Sequence, residues 1–211
     1  MRAYNKARQD VIDTLIHLLY HLEAESGKHC HWIVNYAVMT TRKMGLSGSA
    51  LKTIHYGTLL HDIGKLGVPA AILRKPGKLT PDEWQIVKSH PQMGADLLAP
   101  YPFLASVSRI VVAHHERYDG NGYPNNLHGN SIPIGARIVS VADAYCAMIE
   151  NRPYTQPKST QAALNELIRC AGTQFDPQVV SAFSMVMNPT NEEPSEKTKM
   201  IPVLKTDPAV L

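Results

Sequence analysis

The sequence predicts an all-α protein, and three observations support this fold class. Apolar residues recur at helical spacing along most of the chain, beginning with the stripe over residues 11–22. No segment shows strand-like alternation flanked by hairpin turns. Glycine, asparagine and proline concentrate in residues 119–133, which we expect to form a loop long enough to serve a function.

Most of the expected helices have a recognisable beginning or end. Thr80, Pro81 and Glu83 form a helix start, because threonine caps well, proline suits the first position and glutamate completes a capping box. Gly45 ends one helix and Pro100 ends another. In chain order, the predicted helices cover about residues 11–22, 28–44, 49–61, 80–98, 102–115, 134–150, 159–170 and 177–187.

Composition excludes several classes of protein. The chain has 211 residues, of which 44% are hydrophobic and 18% charged, so it can bury a core and is not a disordered chain. Its net charge of +3 is too small to indicate binding to a nucleic-acid duplex, although it suits a small anionic ligand.

Cellular context is predicted from cysteine use and from the absence of long apolar runs. Cys30, Cys146 and Cys170 have no C-x-x-C spacing, which argues against a disulfide framework or a cysteine zinc site and favours a reducing compartment. The N-terminus is charged and lacks a signal-peptide stretch, and no run is long enough to span a membrane. We therefore predict a cytoplasmic protein that does not bind membranes.

Histidines beside carboxylates are the strongest chemical signals. His61 and Asp62 are adjacent at an expected helix end, where an imidazole nitrogen and a carboxylate oxygen can face one metal ion. A helix C-terminus capped by Gly64 is the structural alternative. His114 and His115 end an apolar helix, and the Asn-Gly turn that follows does not explain two histidines there.

A carboxylate inside an apolar run is a further signal. Asp143 lies within the apolar stretch 138–149, where we expect it to be buried. A buried carboxylate is costly unless it is paired or bound to metal. Pairing with Arg137 or Arg152 is the structural alternative.

Three other residues indicate a metal site only when they are considered together with the residues above. Glu25 and His29 lie four residues apart on one helix face, and His90 precedes a proline. Each alone is more often a surface residue or a satisfied core residue. Together with the residues above they make five histidines, two aspartates and one glutamate, the ligand mixture of a multinuclear Fe, Mn or Zn hydrolase.

The motifs around these residues resemble the HD superfamily of metal-dependent phosphohydrolases. Residues 61–65 read H-D-x-G-K and residues 114–124 read H-H-E-x-x-D-G-x-G-Y-P, the pattern of the HD-GYP subfamily of bacterial cyclic di-GMP phosphodiesterases. Two further segments, R-K-P-G-K-L-T at 74–80 and R-P-Y at 152–154, stand in the order that the family shows. The resemblance covers about residues 25–185 and implies an all-α helical bundle with a metal site between helices.

This resemblance also implies a domain organisation. Residues 1–24 would form an N-terminal helix, residues 25–188 the HD-GYP catalytic domain, and residues 189–211 a flexible tail. The tail is predicted from its prolines, its charges and its lack of aromatic residues. Most relatives carry a receiver or sensor domain before the catalytic domain, so we expect either a stand-alone enzyme or one regulated by a protein partner.

Carried over position by position, the resemblance implies a set of metal ligands. Asp62 is the expected bridging ligand, and Glu25 matches an extra carboxylate of trinuclear members, so two or three divalent ions, Fe or Mn, are expected. The full ligand set is Glu25, His29, His61, Asp62, His90, His114, His115 and Asp143.

The resemblance further implies residues that act on the substrate. Asp62 and Lys65 are the expected catalytic residues, and Lys65 would face the scissile phosphate. Gly122, Tyr123 and Arg152 match positions that contact the cyclic dinucleotide.

The activity implied is hydrolysis of cyclic di-GMP to the linear dinucleotide, to GMP or to both, by a hydroxide that bridges the ions. One alternative is a phosphodiesterase for another cyclic dinucleotide, such as cyclic GMP-AMP. Another is a catalytically weak module for protein interaction. Cys146 and Thr155 favour the latter, because the family usually has an aspartate and a basic residue there.

Overall fold

The structure is a computed structural model that describes residues 2–22, 29–150 and 156–188, and every regular element within them is helical. The all-α prediction is thereby confirmed. Glu25, Arg152 and the predicted tail lie outside the described residues. In chain order the α-helices are α1 (Arg2–Leu22), α2 (His29–Lys43), α3 (Gly48–Leu60), α4 (Ala70–Leu73), α5 (Pro81–Lys88), α6 (His90–Leu98), α7 (Ala105–Ala113), α8 (Ile134–Ile149), α9 (Thr160–Arg169) and α10 (Pro177–Met187).

Helix α8 is the centre of the bundle, and α2, α3, α7, α9 and α10 pack around it. Its Tyr145 is fully buried and meets Tyr36 of α2 edge-on, with ring centroids 5.3 Å apart, and Phe183 of α10, with centroids 5.0 Å apart. Each such buried aromatic or branched side chain contributes about 1.5–3 kcal/mol. None of the helices among the described residues is both long and apolar enough to cross a lipid bilayer.

Helix starts follow the expected local chemistry. The Thr80 hydroxyl accepts a hydrogen bond from the Glu83 backbone N–H, and the Glu83 carboxylate accepts one from the Thr80 N–H, so the capping box is confirmed. At the starts of α9 and α10, the side chains of Ser159 and Asp176 each accept one backbone N–H hydrogen bond, without the reciprocal bond of a capping box. Because these groups satisfy otherwise unpaired N–H groups, each contributes on the order of 1 kcal/mol.

The prediction of a single helix over 80–98 is wrong, because the chain breaks into α5 and α6 at Ser89. Pro91 lacks an N–H and therefore cannot donate to the carbonyl of Val87, four residues earlier. The His90 Nδ1 atom lies 2.7 Å from that carbonyl oxygen. The break therefore leaves a carbonyl group that orients a predicted metal ligand.

Two smaller differences concern helix lengths. α1 begins at Arg2, well before the predicted stripe, and the predicted helix over 102–115 is a 3-10 turn (Pro102–Leu104) followed by α7. The glycine-rich segment 119–133 is a loop with one short 3-10 turn (Gly129–Ser131), as predicted.

Candidate metal centre

Three histidines that the sequence predicts as ligands are oriented by the same local hydrogen bond. His61 follows the last residue of α3, His90 follows the end of α5, and His114 follows α7. Each Nδ1 atom lies 2.7 Å from the carbonyl oxygen three residues earlier, at Thr58, Val87 and Val111 respectively. Carbonyls at a helix end lack helical N–H partners, and a carbonyl oxygen can only accept, so each Nδ1 carries the proton. The Nε2 atom is thereby left to face the site, as in most histidine metal ligands.

These Nε2 atoms converge on the buried carboxylate of Asp62. His90 Nε2 lies 3.1 Å and His114 Nε2 3.9 Å from Oδ1. On the other oxygen, Oδ2, His61 Nε2 lies at 3.2 Å and Lys65 Nζ donates at 2.5 Å. The two oxygens of Asp62 therefore face different groups, which is the arrangement that a bridging carboxylate requires.

The side-chain atoms that converge at Asp62 fit a divalent metal ion. His90 Nε2 and His114 Nε2 are 3.2 Å apart, and together with Asp62 Oδ1 they place three acceptor atoms against one another. Two atoms that each bind one ion at about 2.1 Å are at most about 4.2 Å apart, and all three separations satisfy this limit. His61 Nε2 is buried and makes no hydrogen bond of acceptable geometry among the described residues. The three converging acceptors His90 Nε2, His114 Nε2 and Asp62 Oδ1 are suited to holding a cation between them.

The electrostatics of the cluster keep most ligands in their metal-binding protonation states. Burial by itself raises the pKa of Asp62, but the positive charge of His61 holds that pKa well below its usual range. Burial, and then the charge of His115, lowers the pKa of His114 far below its ordinary value. Burial, and then the charge of His90, lowers the pKa of His115 to about 4. The carboxylate is therefore ionised, and these two imidazoles are neutral at neutral pH.

His61 differs from the other histidines of the cluster. Burial alone lowers its pKa, but the Asp62 carboxylate overcomes this and raises it to about 9. Protonated His61 and Lys65 therefore balance the charge of Asp62 when no metal ion is bound. A metal ion that binds His61 must displace this proton, so metal binding releases acid.

Gly64 allows the His-Asp segment to contact α6 directly. The 3-10 turn Ile63–Gly67 follows Asp62 and crosses the start of α6. A Cβ atom at Gly64 would lie 1.8 Å from the carbonyl oxygen of His90 and 2.5 Å from the amide nitrogen of Gly94. The glycine of the H-D-x-G-K motif is therefore required by backbone packing that brings Asp62 next to His90, and not by a glycine cap.

His115 and Asp143 complete the surroundings of the cluster. One ligand atom of His115 lies within 4.8 Å of those of Asp62, His90 and His114. Asp143 is half-buried, where the sequence predicted a buried side chain, and its charge raises the pKa values of both His61 and His115.

One of the two structural alternatives for Asp143 finds no support. Arg137 donates to Asp176 at 2.5 Å and to Asn130 at 2.9 Å, so its guanidinium is used elsewhere. The other alternative, Arg152, lies outside the described residues, as does Glu25. His29 is the first residue of α2, and the structure does not describe its side chain.

The loop after α7 brings Tyr123 against the cluster. The Tyr123 ring stacks on His115, with centroids 4.9 Å apart and an interplanar angle of 29°. Gly122 packs on the preceding backbone, because a Cβ there would lie 2.3 Å from the amide nitrogen of Arg117. Gly122 thus has a packing role, and its predicted contact with substrate stays a prediction.

Sequence reasoning gave no role to Glu116, which holds this loop in place. Its buried carboxylate accepts hydrogen bonds from the backbone N–H groups of Asn125, at 2.7 Å, and Leu127, at 3.1 Å. The signal was present, because Glu116 stands between a histidine pair and a loop rich in backbone donors. A carboxylate beside unpaired N–H groups is a frequent loop anchor.

Comparison with known proteins agrees with this geometry. The family model described as "HD domain" matches residues 10–179, and the chain therefore belongs to the HD domain family. The cyclic di-GMP phosphodiesterase of Thermotoga maritima is 38% identical over 176 residues, which cover 82% of this chain and 48% of that protein. The response regulator RpfG of Xanthomonas campestris is named a cyclic di-GMP phosphodiesterase. It is 35% identical over 185 residues, which cover 87% of this chain and 49% of that protein.

A relative with another named substrate is nearly as similar. The 3'3'-cGAMP-specific phosphodiesterase 2 of Vibrio cholerae is 34% identical over 180 residues, which cover 81% of this chain and 34% of that protein. The chain spans half or less of the length of these curated relatives.

Two solved structures share the fold. A cyclic GMP-AMP specific phosphodiesterase of Vibrio cholerae superposes with a TM-score of 0.65 at 18% identity, covering 84% of this chain and 49% of the other. An HDG"Y"P protein from Bdellovibrio bacteriovorus superposes with a TM-score of 0.64 at 19% identity, covering 89% of this chain and 63% of the other. The family match and the sequence relatives confirm the resemblance to the HD-GYP subfamily, and the two solved structures show the shared helical fold.

Proposed function

We propose that this chain is a metal-dependent phosphodiesterase that hydrolyses cyclic di-GMP to the linear dinucleotide, to GMP or to both. The observation that carries the proposal is the convergence of imidazole acceptors on the two oxygens of Asp62, with each histidine fixed by a backbone carbonyl. The relatives named cyclic di-GMP phosphodiesterases supply the substrate.

The proposal includes two or three divalent ions, iron or manganese. When bound, such ions activate water and neutralise charge on the phosphate. The proposed ligands are Glu25, His29, His61, Asp62, His90, His114, His115 and Asp143. This number exceeds what one ion with four to six ligands can use.

The protein's own residues would set the position and the protonation of the reacting groups. Asp62 holds a full negative charge between His90 and His114 on one side and His61 on the other, and Lys65 places a cation beside its Oδ2 atom. Burial, and then the charges of Asp62 and Asp143, raises the pKa of Tyr123. The Tyr123 hydroxyl therefore keeps its proton and acts as a hydrogen-bond donor rather than as a base.

Contacts outside the metal shell would select the substrate. Metals bind any phosphodiester, so recognition of a cyclic dinucleotide needs other groups, and Gly122, Tyr123 and Arg152 are the residues proposed. A regulatory protein partner also belongs to the proposal, since the relative RpfG is named a response regulator.

A second candidate function is hydrolysis of 3'3'-cyclic GMP-AMP. It is favoured by the Vibrio cholerae relatives of that specificity, at 34% identity. The cyclic di-GMP phosphodiesterases reach 38% and 39% identity, which favours the first candidate.

The decisive experiment purifies the protein without chelators, measures its metals by elemental analysis, and then supplies each cyclic dinucleotide separately. We expect more than one iron or manganese ion per chain and faster turnover of cyclic di-GMP. At most one ion per chain would contradict the multinuclear site. Folded, metal-loaded protein that hydrolyses neither dinucleotide would instead point to an interaction module.

A further inference from the structure

A lysine lies between two aromatic rings at the outer side of the metal centre. The Lys88 Nζ atom lies 5.5 Å from the ring centroid of Tyr123 and 5.9 Å from that of Trp84. Tyr123 stacks in turn on His115. A continuous series of side chains therefore leads from the cluster through Tyr123 and Lys88 to Trp84 at the surface.

Helix α5 carries both Trp84 and Lys88, and neither side chain is fully buried. None of its residues is fully buried, and Trp84 keeps 45% of its surface exposed. The start of the helix is nevertheless fixed, because the capping box is joined by an ion pair between Lys75 and Glu83 at 2.6 Å. Its end is fixed by the break before His90. The exposed ring and the cation are thus held on a short, anchored helix.

A cyclic dinucleotide has chemistry that matches this pair of residues. It carries two phosphates and two bases. Metal ions at the cluster can engage only the phosphate that is being cleaved. A lysine binds phosphate as a point charge, and a base stacks well on an exposed aromatic face. A single exposed tryptophan is common and does not by itself indicate a site. Here the same lysine, Lys88, lies close to the rings of both Trp84 and Tyr123, and the three side chains together form a surface suited to a nucleotide.

We propose that Trp84 and Lys88 form a substrate subsite beside the metal centre, an inference that rests on the proposed function. Lys88 binds the phosphate that is not being cleaved, and Trp84 stacks against one base of the cyclic dinucleotide. The two residues contribute to affinity and specificity and take no part in bond cleavage.

The first test of the subsite is kinetic. Lys88→Met keeps an unbranched side chain that is one heavy atom shorter, and it removes the charge. We expect it to raise KM for cyclic di-GMP by about tenfold, the scale of one charge-assisted contact. Hydrolysis of bis-nitrophenyl phosphate and the metal content should stay unchanged. The matched control is Lys43→Met, because Lys43 is the exposed last residue of α2 as Lys88 is the last residue of α5. Equal damage to both substrates, or loss of metal, would overturn the subsite in favour of a structural role.

The second test uses tryptophan fluorescence and does not depend on turnover. The chain has two tryptophans, and Trp32 on α2 is exposed to a similar extent, 49%. In stopped-flow mixing with cyclic di-GMP, we expect quenching that survives in Trp32→Phe and is lost in Trp84→Phe. Trp84→Ala should weaken binding by about tenfold, whereas Trp84→Phe, which keeps an aromatic face, should weaken it less.

The two tests separate the subsite from the activity. Binding that quenches Trp84 and depends on Lys88, without any product, would support the subsite and refute the phosphodiesterase. Turnover of cyclic di-GMP with quenching retained in Trp84→Phe would refute the subsite and leave the activity intact. Absence of both binding and turnover would refute both.

Discussion

Replacing Gly64 by alanine tests the packing that brings the His-Asp segment to the other ligands. Gly64 lies two residues after Asp62, and its backbone contacts the first turn of α6. The substitution adds a single methyl group and removes no ligand. Any loss of metal or activity must therefore come from displacement of His90 relative to Asp62.

The size of the displacement can be estimated from the structure. The added Cβ would lie 1.8 Å from the His90 carbonyl oxygen, and Cβ atoms essentially never approach such atoms closer than 3.0 Å. The start of α6 must therefore move by at least about 1.2 Å, since both partners are backbone atoms in a close-packed interior. A misplacement of about 1 Å costs about 10²-fold in rate, and overpacking of this kind costs about 1–3 kcal/mol of stability.

The assay combines circular dichroism, elemental analysis and turnover of cyclic di-GMP. We expect Gly64→Ala to fold as a helical protein with a lowered melting temperature, to hold less metal, and to turn over at least about 10²-fold more slowly. The matched control is Gly67→Ala in the same 3-10 turn, whose new Cβ meets the flexible thioether of Met93 at 2.8 Å. This control should be nearly normal. Metal content and turnover at the level of the unmodified protein in Gly64→Ala would refute the reasoning.

Further substitutions test individual residues of the site. Asp62→Ala should abolish turnover and remove metal while the helices persist by circular dichroism, because the carboxylate faces ligands through both of its oxygens. A folded, metal-loaded variant with normal turnover would contradict this. Glu116→Gln should lower the free energy of unfolding in urea by about 1.5 kcal/mol or more, because two charge-assisted hydrogen bonds to the loop are weakened; an unchanged urea midpoint would count against the anchor. Arg152→Ala should raise KM for cyclic di-GMP by about tenfold or more and leave bis-nitrophenyl phosphate hydrolysis unchanged. Equal loss on both substrates would show instead that Arg152 supports Asp143.

Local signals in the sequence were sufficient for most of the fold. Helical periodicity and capping residues such as Thr80 and Ser159 predict helices whose existence the structure confirms. The helical pattern over 80–98 does not reveal the break at Ser89, because the apolar spacing continues through the junction; Pro91 is the local sign of it. The tail over 189–211 lies outside the described residues and stays a prediction.

The sequence by itself predicted a set of metal ligands, and it determined how several of these side chains are oriented. His61, His90 and His114 each stand just past a helix end, and the hydrogen bond that turns each ring reaches a carbonyl only three residues back. Such contacts are local, so the order of residues along the chain specifies them.

Only the tertiary structure decided where those rings meet. That Oδ1 of Asp62 faces both His90 and His114 depends on how the ends of α3, α5 and α7 pack together. The proximity of Lys88 to Tyr123 has the same origin. Distances between helices are set by the volumes of every side chain between them and by close backbone contacts such as that at Gly64. These are contacts between residues far apart in the chain, which no local pattern of residues specifies.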